Sequence, residues 1–134
     1  MRLWHYELLK FLPNQMLVSQ WRECIAIKRQ WEKGTLKHRL VSYVMNYDKR
    51  YLVKYTGLVY NEMKKRNIKC RDTYFVEMIR FCGFEEYYIS GNYSEHNDRY
   101  LKQCYYNLQE KFDRGIINKE EWRKLEEWKK LKNI

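Results

Sequence analysis

From Pro13 onward the apolar positions of the chain repeat at helical spacing. Leu17, Val18, Trp21, Cys24, Ile25 and Trp31 fall three and four apart, the mark of a helix with one buried face. Asn14 reads as its cap and Gly34 as its stop, which predicts a first long helix over 14–33. A basic linker, Gly34 to Arg39, leads to a short apolar segment, Leu40 to Asn46, with Leu40, Val41, Val44 and Met45. Asp48 then caps a second long helix reaching about Asn67, with Leu52, Tyr55, Leu58, Val59 and Met63 inward. Asp72 caps a shorter helix, apolar at Phe75, Val76 and Ile79, that ends before Gly83. Residues 84–93 are irregular and tyrosine-rich. The next helix is predicted to start at Ser94, with Glu95 and Asp98 in its first turn, where the helix dipole favours anions. Leu101, Cys104, Tyr105, Leu108 and Phe112 form its inner stripe and Gly115 ends it. Asn118 followed by Glu121 has the form of a capping box for a last amphipathic helix within 116–134, carrying Trp122, Leu125 and Leu131.

Every strong period is helical, and no internal repeat or long linker divides the chain. The 134 residues are therefore expected to form one compact all-α domain, a helical bundle. Hydrophobic residues at 45%, including 13 Tyr, 5 Trp and 5 Phe, are enough for a core and exclude a disordered tail. A single Pro and five Gly agree with long helices and few tight turns. No apolar run approaches the ~20 residues of a membrane span. Met1 to Pro13 lacks the apolar stretch and cleavage site of a signal peptide, so a soluble, cytoplasmic protein is expected. Cys24, Cys70, Cys82 and Cys104 form no C-x-x-C pair and are expected to be free thiols. His5, His38 and His96 have no partner at metal-ligand spacing, so no metal site is expected. Neither a glycine-rich phosphate loop nor a G-x-S-x-G elbow occurs.

Charge changes the picture. The chain carries 27 Lys and Arg against 17 Asp and Glu, a net +10. Residues 1–69 hold 15 basic and 5 acidic side chains, while residues 70–134 hold 12 of each, so the whole excess lies in the N-terminal half. Lys28, Arg29, Lys33, Lys37, Arg39, Lys49, Arg50, Lys54 and the run Lys64-Lys65-Arg66 contribute much of it. Such a half suits a polyanion, because each phosphate neutralised releases counterions. The alternative is a solvated basic face on a soluble protein.

On a helical wheel the apolar stripe of the first long helix centres near Trp21, and Glu23 falls almost opposite. The neighbours of Glu23 at three and four residues are Ser19, Gln20, Ala26 and Ile27, which offer little charge to hydrate a carboxylate. A face of that kind suits close approach of another surface, and partial desolvation raises a carboxyl pKa toward acid–base use. Arg22 lies on the flank between the two faces. Read without further context, both are ordinary surface residues of a helix.

The stretch Asn14-Gln15-Met16-Leu17-Val18-Ser19-Gln20-Trp21-Arg22-Glu23-Cys24 resembles the first long helix of the pyrimidine-dimer DNA glycosylases, phage repair enzymes with glycosylase and abasic-lyase activity. The opening Met1-Arg2-Leu3-Trp4-His5-Tyr6-Glu7-Leu8-Leu9 resembles a bacterial and phage branch of that family. Tyr47-Asp48-Lys49, Glu62-Met63-Lys64-Lys65-Arg66, Glu95-His96 and Leu108-Gln109-Glu110-Lys111 follow in the family's order, so the resemblance spans about residues 1–112. It implies a helical fold that acts on damaged double-stranded DNA without metal or organic cofactor. It also implies that the α-amine of the chain's N-terminus attacks the anomeric carbon of the sugar, expels the base and leaves an imine. An α-amine titrates near ~7.7–8.0, so a useful fraction is neutral at physiological pH. By this resemblance Glu23 assists sugar opening and proton transfer, Arg22 sits at the lesion's phosphate, and Lys111 binds phosphate.

The chain also departs from the family's pattern. Family members expose a threonine amine after losing the initiator Met, whereas Arg2 is too bulky for ordinary Met removal, so Met1 is expected to present the amine. Aligning Met1 with that threonine puts Arg2 on the family's following arginine, with one inserted residue before Gln15. Ala26 and Asn107 stand where the family has phosphate-binding arginines, and Met16 where it has a histidine. A second reading follows from these changes, a catalytically altered or inactive helical module of the same fold that binds DNA or RNA.

Other residues carry two readings each. His38 in the basic linker reaches a backbone phosphate or is merely exposed. His96, near a helix start, contacts DNA or bonds locally. Trp4, Trp21, Trp31, Trp122 and Trp128 stack on bases or belong to the core. Tyr87, Tyr88 and Tyr93 shape a lesion pocket or cover the core. The helix over 119–132 is a solvated amphipathic helix or a dimer contact. The sharpest expectation concerns residues 1–6, which must fold back beside Glu23 for the Met1 amine to act there.

Overall fold

A computed structural model describes residues 1–83 and 89–133. Among the described residues every element is helical and none is a strand. Residues 1–5 run without regular structure into a 3-10 turn, Tyr6–Phe11. Five α-helices follow: α1 (Asn14–Lys33), α2 (Lys49–Lys65), α3 (Asp72–Phe81), α4 (Asp98–Asp113) and α5 (Lys119–Lys132). A second 3-10 turn, Ser42–Asn46, leads into α2. Helices α1 and α2 pack together and α3 lies against both. The Tyr6–Phe11 turn rests on α2 and is also touched by α4 and α5. Tyr87 and Tyr88, two of the three tyrosines considered for a lesion pocket, lie outside the described residues. Tyr93 is buried in the core.

The helix starts correct the sequence reading in three places. The cap position of α1 is Pro13, which makes no side-chain cap bond. Asn14 instead accepts a hydrogen bond from the Arg66 guanidinium at 3.1 Å. Asp72 lies inside α3 rather than capping it, because its carboxylate is claimed by the Tyr60 hydroxyl at 2.6 Å and Lys64 at 2.7 Å. Helix α4 starts at Asp98, capped by Asn97, whose side chain accepts from the Tyr100 N–H at 3.0 Å. Ser94 and Glu95 are held before the helix by the Tyr47 hydroxyl, each at 2.6 Å. Two caps agree with expectation. Asp48 accepts from the Arg50 N–H, and Asn118 with Glu121 forms a reciprocal capping box. Gly34 ends α1 in the left-handed conformation at φ +70°, which a glycine adopts without Cβ strain.

The inward stripes shift as well. Leu58, expected inside, is exposed, as are the apolar Val76 of α3 and Leu131 of α5, the last at 87% almost fully in water. Met78 and Phe81 take the inner face of α3. On α1 Lys28 is buried within the stripe, and the buried set extends beyond it to Gln20 and Ile27 on the side of Glu23, so a second face of this helix is covered. No described helix is long and apolar enough to cross a membrane. Cys24, Cys70 and Cys104 are free thiols, and the Cys82 thiol donates to the Ile79 carbonyl at 3.1 Å; burial pushes the Cys24 thiol up to about 12.

Candidate active site

The second covered face of α1 is occupied by the chain's own N-terminus. Residues 2–4 lie along Gln20 and Glu23 and are held there by directional bonds. The Arg2 N–H points to Glu23 Oε2 at 3.4 Å. The Gln20 amide donates to the Arg2 carbonyl at 2.9 Å and accepts from the Trp4 N–H at 2.7 Å. The Tyr55 hydroxyl of α2 donates to the Trp4 carbonyl at 2.6 Å, and the Tyr100 hydroxyl of α4 donates to the Leu3 carbonyl at 2.6 Å. Leu3 is wholly buried, and Trp4 and His5 nearly so. Burial holds the Tyr55 and Tyr100 phenols well above their ordinary pKa, so both stay protonated and donate across the neutral range.

This arrangement opens onto a cleft of about 400 Å³. Met1, Arg2 and Trp4 line it with Ser19, Gln20 and Glu23 from α1, while Asn107, Glu110, Lys111 and Arg114 contribute from α4 and its end. Leu40, on the turn after the basic linker, and Met16 complete the rim. The Arg2 guanidinium lies over the Trp4 ring at 5.2 Å, a cation–π contact that positions its charge at the cleft. Arg114 pairs with Glu110 at 3.8 Å. A terminal amine, the carboxylates of Glu23 and Glu110 and the cations Arg2, Lys111 and Arg114 thus share one concavity. An amine supplies a nucleophile, a carboxylate moves protons, and the cations suit phosphate.

The other predicted residues are placed differently. Arg22 is exposed on the neighbouring flank of α1 and lines a separate cleft with Ala26, Arg29, Lys33 and Tyr74. His38 is exposed, and its Nδ1 accepts from the Leu40 N–H at 3.3 Å, which shapes the turn carrying Leu40 to the rim. His96 does not reach the cleft. It is 6% exposed, its Nδ1 accepts from the Tyr6 N–H at 3.3 Å, and its Nε2 bonds to the Tyr43 hydroxyl at 2.8 Å. Burial and the adjacent His5 lower its pKa to about 3, so it is a neutral ring that accepts a backbone bond. Of the two readings of His96, the local bond is the one the fold uses.

The basic half is likewise divided. Lys28 is buried and bridged to Glu32 at 2.9 Å and Glu77 at 3.5 Å. Arg66 donates to the carbonyls of Leu9, Lys10 and Leu12, closing the end of the Tyr6–Phe11 turn. Lys54 bonds to the Gly91 carbonyl. Lys33, Lys37, Arg39 and Lys65 are exposed. Sequence reasoning missed Tyr55, Tyr100, Glu110 and Arg114 as site neighbours, and it grouped Gln20 with small and apolar positions. One available signal was a long amide placed three residues before Glu23 on a face without charge.

In this all-helical protein Met1, Glu23 and the cations Arg2, Lys111 and Arg114 line one cleft. The family model of the pyrimidine dimer DNA glycosylases matches residues 1–75, more than half of the chain, and the chain belongs to that family. The match includes Met1, Arg2, Arg22, Glu23 and His38 and stops short of Lys111. Neither the curated proteins nor the solved structures contain a match to the chain.

Proposed function

We propose that this DNA repair glycosylase removes a damaged pyrimidine from duplex DNA through an imine at the Met1 α-amine and then cuts the strand as a lyase. The neutral amine attacks the anomeric carbon C1′, the glycosidic bond breaks, and the base leaves with its electron pair and a proton. Glu23 donates a proton to the ring oxygen as the sugar opens, which leaves an iminium at C1′. The carboxylate then takes a proton from C2′, and the electrons expel the 3′-phosphate by β-elimination. Water hydrolyses the imine and returns the free amine. Arg2 and Lys111 hold the flanking phosphates, and Arg22 with the exposed linker residues His38 and Arg39 extends the contact along the backbone. No cofactor enters any step.

The observation that supports this reading most is the Arg2 N–H at 3.4 Å from Glu23 Oε2, with Met1 on the same cleft. The amine is one residue further along, a span of at most roughly 3.6 Å of chain. Borohydride reduction of the protein with a duplex carrying a pyrimidine dimer tests it. A covalent adduct on the Met1 peptide is expected, and acetylating Met1 or fusing a tag before it should abolish the adduct without unfolding the protein. An adduct on a lysine would move the nucleophile. Tight DNA binding with no adduct from the free protein would leave a binding module in place of the enzyme.

A further inference from the structure

Gln20 is 1% exposed, three residues before Glu23 on α1, and its amide is bonded through both nitrogen and oxygen. Nε2 donates to the Arg2 carbonyl at 2.9 Å and to Glu23 Oε2 at 3.1 Å. Oε1 accepts from the Trp4 N–H at 2.7 Å and lies 3.0 Å from the Tyr55 hydroxyl, whose single proton goes to the nearer Trp4 carbonyl. An amide donates from nitrogen and accepts at oxygen, so only one orientation of this side chain satisfies the Arg2 carbonyl, Glu23 and the Trp4 N–H together. The Arg2 carbonyl and Trp4 N–H are the pair of groups that a neighbouring β-strand would engage. Gln20 therefore stands in for a strand partner. A slip of the segment by one residue would present it with the wrong groups.

We propose that Gln20 is a positioning residue for the reaction, setting the register of residues 1–4 and holding Glu23 Oε2 in place with the same amide group. The inference rests on the imine reading above. The nucleophile and the proton carrier come from separate parts of the chain, and Gln20 is bonded both to Glu23 and to the segment, residues 2–4, that follows the Met1 amine. With Oε2 occupied by Gln20 and the Arg2 N–H, Oε1 is the oxygen left for proton transfer. Tyr55 packs beside the amide and donates its hydroxyl proton to the Trp4 carbonyl of the same segment.

The test uses the full chain and a duplex with a preformed abasic site, following borohydride trapping against pH alongside DNA affinity and melting temperature. In Gln20→Leu, trapping at neutral pH should slow about a hundredfold, the scale of an ångström-size misplacement, while affinity changes only a few-fold. In Gln20→Glu a second carboxylate beside Glu23 favours proton binding at the site, so the acid limb of the profile should move up by about one pH unit or more. A lowered melting temperature with wild-type rate and pH profile in both variants would overturn the proposal and leave Gln20 a structural residue. If the variants do not fold, the wild-type protein decides. Its Gln20 side-chain amide resonances should follow a titration that Glu23→Gln abolishes, and resonances indifferent to both would overturn the coupling. Absence of trapping by the wild type would instead remove the imine reading, and this proposal with it.

Discussion

Residues 1–5 and α5 both pack onto the rest of the helical domain, and they are attached by different forces. The N-terminal segment is held by its backbone, through Gln20, Tyr55, Tyr100 and, just beyond it, His96 at the Tyr6 N–H. Helix α5 is held by rings. Trp122 stacks on Phe112 at 5.2 Å, and Trp128 meets Phe11 at 5.2 Å. Lys132 to Glu7 at 2.5 Å is a contact at the edge. Ring packing buries area without fixing position to a fraction of an ångström. Hydrogen bonds to successive backbone groups fix register and tolerate no slip. The first kind of attachment stabilises; the second aims a terminus. The family match covers the aimed end and not α5.

The comparison breaks most sharply at Glu23. Glu23→Gln keeps the bonds to Gln20 and Arg2 within reach but removes the ionisable group. Single-turnover excision should fall by about 10²–10⁴-fold, the usual share of general acid–base catalysis, with affinity changed only a few-fold. No substitution on the exposed face of α5 should approach that effect. Equal losses of affinity and melting temperature would make Glu23 structural.

Acid should release the N-terminal end before α5. His96 is neutral in the fold with a pKa near 3, against an ordinary value of 6.5. The unfolded chain therefore binds a proton that the folded chain refuses as pH falls below about 6.5, and stability drops until about pH 3. The slope from this residue approaches about 1.4 kcal/mol per pH unit in that window. Burial lowers the pKa of His5 as well, which adds in the same direction. Hydrogen exchange at the Tyr6 amide, whose acceptor is lost when Nδ1 protonates, should accelerate relative to amides of α5. A flat stability profile from pH 6.5 to 4 would contradict this assignment.

How much of this was legible in the sequence depends on which force did the work. Period and caps carried the helices, because the stripe of α1 and the Asp48 and Asn118 caps are local properties. Exposure of Leu58 and Val76 was not legible, since a wheel cannot say how wide a face the neighbours cover. Asn14 and Asp72 failed as caps, and Ser94 as a helix start, because Arg66, Lys64 with Tyr60, and Tyr47 compete for them from distant positions. Glu23 was singled out through motif and wheel together, and it lines the cleft. Tyr100 lies 97 residues from its partner Leu3, and nothing local marks it.

Paired substitutions at the two ends separate stability from aim. Trp128→Ala removes ring packing from a half-buried site and should cost about 1–2 kcal/mol, less than a core tryptophan, with the trapping rate unchanged where the protein is folded. Tyr100→Phe removes one buried hydrogen bond and should cost about 1 kcal/mol, yet slow trapping because the Leu3 carbonyl loses its donor. Denaturant melts with parallel trapping assays distinguish the two. Identical ratios of rate loss to stability loss would erase the contrast between the ends.

The smallest effect concerns charge at the two ends. The N-terminal half holds the net excess, and Lys37 and Arg39 are exposed in the linker that leads to the cleft rim at Leu40. Lys129 and Lys130 lie on α5, where Lys129 already sits over the Tyr105 ring at 4.6 Å. Affinity for damaged duplex DNA should fall linearly in logarithmic salt, and neutralising Lys37 or Arg39 should reduce that slope by about 1 each where the residue meets a phosphate. Lys129→Gln with Lys130→Gln should leave the slope unchanged, although it removes as much charge as the linker pair. Binding titrations at several salt concentrations measure both. Equal slopes for the two double variants would mean that the excess charge acts through the net field of the molecule rather than through contacts at the cleft, and a salt-independent affinity would remove DNA as the partner altogether.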